Sequence, residues 1–188
     1  MIPVEGGEPL VSSALVFDQV RLMRELYGAE TVARAEESLP SALREELAAM
    51  APGGWSSLDV ARELKNGVAS LVGVDPLAFQ RDICRKGVER TLTTVWRFLL
   101  RQLGDEALAK RTPILYSRSF NRGSLALAGW RDGGADLELR GWPRMPEYDL
   151  VGLMAGVQTV LDLAGRKDVK VTSARRAPVI VLHASWRR

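Results

Sequence analysis

The chain has 188 residues, 46% of them hydrophobic and 26% charged, the size and composition of one ordinary globular domain. One cysteine and one histidine exclude an internal disulfide framework and a four-ligand structural zinc site. Residues 1–80 hold 12 acidic and 6 basic side chains and residues 81–188 hold 11 and 20, so halves of −6 and +9 sum to the formal +3. Such asymmetry steers a partner or lets two halves, or two subunits, meet face to face.

No Lys or Arg precedes the first short apolar stretch, so the charged start of a secretory signal is missing and a cytoplasmic address is expected. Residues 1–10 read as a flexible N-terminus and residues 11–188 as a single α+β domain of ligand-binding or adaptor type. Ser12 and Ser13 precede a periodic apolar run, Leu15, Val16, Val20, Met23 and Leu26, that stops at Gly28, which predicts a first amphipathic helix. Two short helices follow, over 29–38 and 40–50, ended by Pro52-Gly53-Gly54. Ser56-Ser57 can cap a fourth, carrying Leu58, Val60, Ala61, Leu64, Val68 and Leu71.

Asp75-Pro76 reads as the cap and first residue of the longest helix, expected to run unbroken to Leu103 with an apolar stripe through Cys84, Val88, Leu92, Val95 and Leu99. Asp105 can cap a further helical stretch that Thr112-Pro113 interrupts and Gly123 ends. There the period changes. Leu125 and Leu127, then Leu137 and Leu139, alternate around Asp132-Gly133-Gly134, a strong hairpin pattern that places two strands in 123–141. Glu147 opens a helix that Gly165 ends, and 169–172 and 179–186 are the last strands. The order gives an α+β fold: a helical N-terminal half packed on a small four-stranded antiparallel sheet, with one long helix between the strand pairs.

Few residues stand out chemically. His183 shares one strand face with Val181 and Ser185 and has no adjacent carboxylate in sequence, so it reads as a structural histidine. Cys84 lies on an apolar stripe and reads as a small buried hydrophobe. Gly152 and Gly156 read as points of close helix approach. The basic group Arg166, Lys167, Lys170, Arg175, Arg176, Arg187 and Arg188 reads as a solvated strand edge, and Glu36-Glu37 and Glu45-Glu46 as solubilising charge. No phosphate loop, nucleophile elbow, His-Glu-x-x-His or paired Cys-x-x-Cys occurs, so the chain is read as no enzyme.

Three segments, Ser124-Leu-Ala-Leu-Ala-Gly-Trp130, Ala135-Asp-Leu-Glu-Leu-Arg140 and Asp149-Leu-Val-Gly-Leu-Met-Ala-Gly-Val-Gln158, carry a family resemblance. They resemble the hairpin, glycine-containing helix and closing strand shared by haem-NO-binding domains, four-vinyl-reductase domains and TRAPP small subunits. The N-terminal half, with Leu92-Thr-Thr-Val-Trp-Arg-Phe-Leu-Leu100 before Gly104, resembles stand-alone myxobacterial paralogous regulators; together the likeness spans residues 11–186. The resemblance implies a space between helical half and sheet for haem, a hydrophobic small molecule or an acyl chain. In this chain Cys84, Val88, Leu92, Trp96, Trp130, Met154 and Val157 would line it.

The chain departs from these families at their chemical residues. Haem-NO-binding domains hold haem carboxylates with Tyr-x-Ser-x-Arg and iron with a helical histidine. Here Tyr116-Ser117-Arg118-Ser119-Phe120 has those letters out of register and the only histidine lies in the last strand. No Cys follows Cys84, which removes the metal-binding cysteines of the four-vinyl-reductase group, and no motif assigns Cys84 an acyl chain. A haem-less bacterial member with no cofactor is therefore expected. It reads as a non-catalytic cytoplasmic regulatory or adaptor domain that dimerises and takes a small apolar ligand or a protein partner, without a membrane. A surplus of apolar helical surface places the dimer face at Leu15, Val16, Leu22, Leu43 and Leu47. The alternative is nucleic-acid binding through the basic C-terminal third, disfavoured because no helix-turn-helix or aromatic RNA-binding pattern accompanies it.

Overall fold

Two helix starts follow the capping chemistry, while Ser12 before the first helix makes no side-chain cap bond. Ser57 Oγ accepts from the Val60 amide at 3.2 Å and Asp75 Oδ1 from the Ala78 amide at 2.8 Å, each satisfying a first-turn donor that the helix itself cannot. The computed structural model describes residues 8–92, 100–104, 106, 107, 110 and 112–187. Within them run α1 (Ser13–Tyr27), α2 (Ala29–Glu37), α3 (Ser41–Ala49), α4 (Leu58–Leu71), α5 (Pro76–Thr91), α6 (Thr112–Ser119) and α7 (Glu147–Leu163). A two-stranded pair joins β1 (Leu10–Ser12) to β2 (Trp55–Ser57). The main sheet contains β3 (Ser124–Arg131), β4 (Gly134–Arg140), β5 (Lys167–Arg176) and β6 (Val179–Arg187), all antiparallel in the order β3-β4-β6-β5.

The expected α+β architecture, a helical N-terminal half on a four-stranded antiparallel sheet, is the observed one. Its hairpin turns at Asp132-Gly133, where Gly133 takes φ +72° and a Cβ would lie 2.8 Å from the Trp186 carbonyl. Glycine is required there on both grounds. Leu125, Leu137, Leu139, Ile180, Leu182 and Ala184 are buried along the sheet, and α7 packs against both α5 and β5.

Three expectations are corrected. The long helix ends at Thr91: Leu92, at φ −85° and ψ +87°, has left the helical region. Thr91, the last helical residue, is itself β-branched, a feature that disfavours helix. The expected continuation through 93–99 lies outside the described residues, as does part of the stretch after Asp105. Strands β1 and β2, absent from the sequence reading, have three residues each, too short for alternation to register. They are fixed by long-range bonds: the Leu10 amide donates to Asn121 Oδ1 at 2.7 Å and the Asn121 amide to the Leu10 carbonyl at 3.2 Å. Finally, Val16 and Leu22 are 2% and 6% exposed, already covered by their own chain, while Leu15, Leu43 and Leu47 are partly buried against the same core.

Candidate functional site

Between α4, α5 and α7 the core turns polar. Helix α4 buries Leu58, Ala61, Leu64 and Val68 and, with them, Lys65. Helix α5 buries Phe79 and Ile83 but also Gln80, and α7 begins with buried Tyr148 and Asp149. Lys65 is 5% exposed and its ammonium lies 5.3 Å from the Tyr148 ring centroid, a cation–π distance. Gln19 of α1 points its Nε2 toward Cys84 Sγ at 3.9 Å. Gly152 lets α5 come close: a Cβ there would lie 2.6 Å from Gln80 Nε2 and 3.0 Å from Cys84 Sγ.

The electrostatics of this seam follow from desolvation. Burial pushes the Lys65 ammonium below its ordinary range, with the nearby Cys84 and Asp149 acting in the opposite sense. Burial likewise raises the Asp149 carboxyl, against the favourable charges of Lys65 and Arg62, and raises the Cys84 thiol and the Tyr148 hydroxyl. Asp149 does sit in the first turn of α7, where the helix dipole favours an anion, but that is a surface-scale effect and burial outweighs it. Gln80 Oε1, Tyr148 OH and Asp149 Oδ2 are buried without a hydrogen-bond partner. Buried polar atoms are nearly always paired, and besides these three only Asn66 Oδ1 and Trp186 Nε1 share this state among the described residues.

The residues assigned to a pocket are not gathered there as a set. Cys84 and Val88 face Gly152 and Gly156 of α7, the latter at ordinary contact with a Val88 methyl 3.9 Å from its Cβ position. Met154, two residues from each glycine, projects from the other side of α7, and Val157 belongs to the buried core. Leu92 closes α5, and Trp130 stands near the hairpin tip, 47% exposed, opposite Ala135 in the β3–β4 register. Trp96 lies outside the described residues. Two surface hollows, about 160 and 380 Å³, are lined by none of these seven: the smaller runs between α5 and α7 past Arg81, Asp82, Arg85 and Asp162, the larger beside Lys170 and Trp186.

His183 does have a carboxylate partner, invisible in the sequence because it is 47 positions away: Nδ1 lies 2.9 Å from Asp136 Oδ1, directly across β4 and β6. Arg131 donates to the other oxygen at 3.1 Å. Desolvation alone would raise Asp136, but these two bonds hold its carboxyl below the usual carboxylate range. Glu46 is no mere solubilising charge either; it accepts from the Ser57 amide at 2.6 Å and from Ser57 Oγ at 2.9 Å. In the basic group, Arg175 donates to the Met145 carbonyl at 2.7 Å, Arg166 to the Leu103 carbonyl at 2.7 Å, and Arg187 pairs with Asp168. These arginines tie loops down, so the nucleic-acid reading gains no support from them.

A sequence signal for the polar seam exists, though it is easily passed over. Lys65 follows directly on Leu64 within the buried Leu58, Ala61, Leu64, Val68 pattern, and Gln80 and Cys84 are one turn apart facing Gly152. Among the described residues no cluster of His, Cys, Asp and Glu is suited to a metal ion, and no helix is long and apolar enough to cross a membrane.

No protein-family model matches the sequence, and no curated protein matches it. Solved structures do match in fold. The chain is similar to the Fe(II) unliganded H-NOX protein from K. algicida, with a TM-score of 0.69 at 8% identity over 94% of this chain and 97% of that one. It is also similar to a point mutant of the T. tengcongensis H-NOX, with TM-score 0.65, 11% identity, and 94% and 98% coverage. An oxygen binding H-NOX domain related to soluble guanylate cyclases gives 0.62, 13%, 94% and 95%. The fold is therefore H-NOX-like.

That fold implies haem, and the residues present do not fit it. The chain's one histidine is on a sheet strand, its Nδ1 engaged by Asp136. Residues 93–111 contain no His, Cys, Met or Tyr. Tyr116 is buried and donates its hydroxyl to the Arg122 carbonyl at 2.6 Å, while Arg118 is exposed. Neither an axial histidine on a helix nor the carboxylate clamp of the resemblance is available.

Proposed function

We propose that the chain is a non-catalytic regulatory or adaptor domain, built on an H-NOX-like scaffold and working without haem through contact with a protein partner, including a second copy of itself. The observation that carries this reading is the placement of His183: the sole imidazole stands on β6, outside the helical half, and is fixed by Asp136. A neighbour described as an oxygen binding domain supports reading the scaffold as a binding module. Partner contact is favoured by apolar side chains at one corner. Leu26 ends α1, and Leu71, Val74 and Leu77 surround the α4–α5 turn; all are exposed, and the Tyr27–Phe79 ring pair, 5.3 Å between centroids, brings the two segments together. Val16 and Leu22 are covered within the chain, and the exposed corner is the apolar surface we assign to the proposed homodimer contact.

Light scattering at micromolar concentration tests the dimer: twice 20.7 kDa is expected, falling to one chain mass in a Val74→Glu, Leu77→Glu variant of unchanged helix content. A single-chain mass for the native protein refutes the self-contact. Expression with added haem followed by an absorption scan tests the other half, and a stoichiometric Soret band refutes it. A small apolar ligand is the second reading, favoured by the half-exposed Trp130 on β3; mass spectrometry of a denaturing extract decides it.

A further inference from the structure

Alternation along β6 turns Ile180, Leu182 and Ala184 into the core and leaves His183, Ser185 and Arg187 on the opposite face of the sheet. Register sets Asp136 of β4 and Thr172 of β5 on either side of His183. The His183 and Asp136 side chains are 35% and 33% exposed, so solvent reaches both. His183 Nδ1 lies 2.9 Å from Asp136 Oδ1, and Arg131 donates to Oδ2 at 3.1 Å, which keeps the carboxylate from turning away. An ionised carboxylate only accepts, so Nδ1 carries the proton and the neutral ring holds its lone pair on Nε2. That nitrogen has no hydrogen-bond partner among the described residues. The same face supplies cations. Ser185 stands about 7 Å along β6 from His183, and Lys170 is its partner across the ladder. Lys170, Ser185 and Arg187 line the hollow of about 380 Å³; Arg187 pairs with Asp168, and Lys170 has no ion pair among the described residues.

We propose that His183 is a phosphoryl acceptor, its Nε2 taking the group from an acyl phosphate or an N-phosphoryl donor while Asp136 holds Nδ1–H. The Nε2 lone pair attacks phosphorus, an N–P bond forms, and the bond from phosphorus to the leaving group breaks. From an acyl phosphate the electron pair leaves on the carboxylate: R–COO–PO3²⁻ + HN–Im → R–COO⁻ + ⁺HN–Im–PO3²⁻, with no oxidant or reductant. From an N-phosphoryl donor the P–N pair leaves on the protonated nitrogen as a neutral amine. The ring gains a positive charge in this step, and the Asp136 carboxylate against Nδ1–H compensates it. Attack at a solvent-facing nitrogen needs no enclosed cavity. Glu138, the acid diagonal to His183 on this face, is held by Arg140 at 2.6 Å, so its charge is partly neutralised. The product places a dianion beside Lys170 and changes the charge of an open sheet face, a mark that a protein partner can read. The acceptor chemistry itself does not rest on the adaptor reading.

The test incubates the native full chain at about pH 8, above the ordinary imidazole range, with acetyl phosphate in one arm and phosphoramidate in the other. Phosphorus NMR and mass mapping then look for an acid-labile, alkali-stable phosphoryl group on the peptide holding His183. The reference is the same chain unfolded in urea, which keeps the one imidazole and loses the Asp136 bond. Labelling of the native chain at least about tenfold faster than the unfolded one supports the assignment, and the arm that labels names the donor class. No phosphoryl group on His183 in either arm, or equal rates for native and unfolded chain, overturns it. Asp136→Asn is a near-isosteric change at a half-exposed site and is expected to fold; a rate about tenfold below native is expected, and a native rate refutes the part given to the carboxylate. The comparison of native with unfolded chain needs no variant. Neither readout depends on oligomeric state or haem content, so failure here and failure of the adaptor reading are distinguishable.

Discussion

Gly152 offers the sharpest quantitative handle on the seam. Replacing glycine by alanine inside a helix normally stabilises it by about 0.8–1 kcal/mol, because alanine loses less backbone freedom on folding. Gly156 on the same helix should behave so, its added methyl meeting Val88 at 3.9 Å, an ordinary contact; Gly87 of α5, with nothing within 4 Å, should do likewise. At Gly152 the methyl would lie 2.6 Å from Gln80 Nε2 and 3.0 Å from Cys84 Sγ. Gln80 is 3% exposed, so its amide has no solvent to swing into. Overpacking of a filled core costs roughly 1–3 kcal/mol, which exceeds the propensity gain. Gly152→Ala is therefore expected to lose up to about 2 kcal/mol while Gly156→Ala gains up to about 1 kcal/mol, a separation of several degrees in Tm for a chain of this size. Thermal and urea unfolding followed by circular dichroism measure both. Coupling is testable in a double-mutant cycle: Cys84→Ala should relieve part of the Gly152→Ala cost. Equal stability for the two alanine variants would refute the close approach of α5 and α7 at this glycine.

Ser57→Ala removes an N-cap and the hydroxyl bond to Glu46, so a loss of about 1–2 kcal/mol is expected by urea titration, more than at the exposed cap Asp75→Ala. Asp136, held below its ordinary pKa in the folded state, contributes stability that is present above the unfolded value of 3.8 and is lost as pH falls through the folded value. His183→Ala should therefore flatten the acid limb of the stability profile; an unchanged limb would show that the Asp136–His183 bond is energetically silent. Asn121→Ala should free the β1 strand, read as faster amide exchange at Leu10 through Ser12 with the main sheet unchanged.

Element type is legible wherever a local rule acts on consecutive residues. Asp132-Gly133 between two alternating runs fixes the β3–β4 turn, and Ser57 and Asp75 mark helix starts because their side chains bond amides three positions on. The helix end at Thr91 is not legible, because the apolar stripe through Cys84, Val88 and Leu92 runs on past it in the sequence with no breaking residue. Strands β1 and β2 are invisible because their bonds come from Asn121 and from each other, across more than 40 positions.

The candidate site divides in the same way. What resemblance implies about haem can be denied from sequence, since ligand chemistry depends on residue identity and His183 is the only imidazole. The polar seam cannot be read there, because it is made by tertiary contact. Lys65, Gln80, Cys84 and Asp149 come from three helices, and each alone reads as an ordinary helix residue. Their significance lies in what they do together in low dielectric: an amine without a salt bridge, a carboxyl held up by burial, and three orphaned polar atoms. An apolar replacement of such a cluster would generally be as stable or more so, so the seam is not explained by stability alone. Lys65→Met offers the discriminating measurement. The variant should hold or gain stability in urea titration, because it removes the cost of burying an amine that has no ion pair; a clear loss would show that the contact with the Tyr148 ring outweighs that cost.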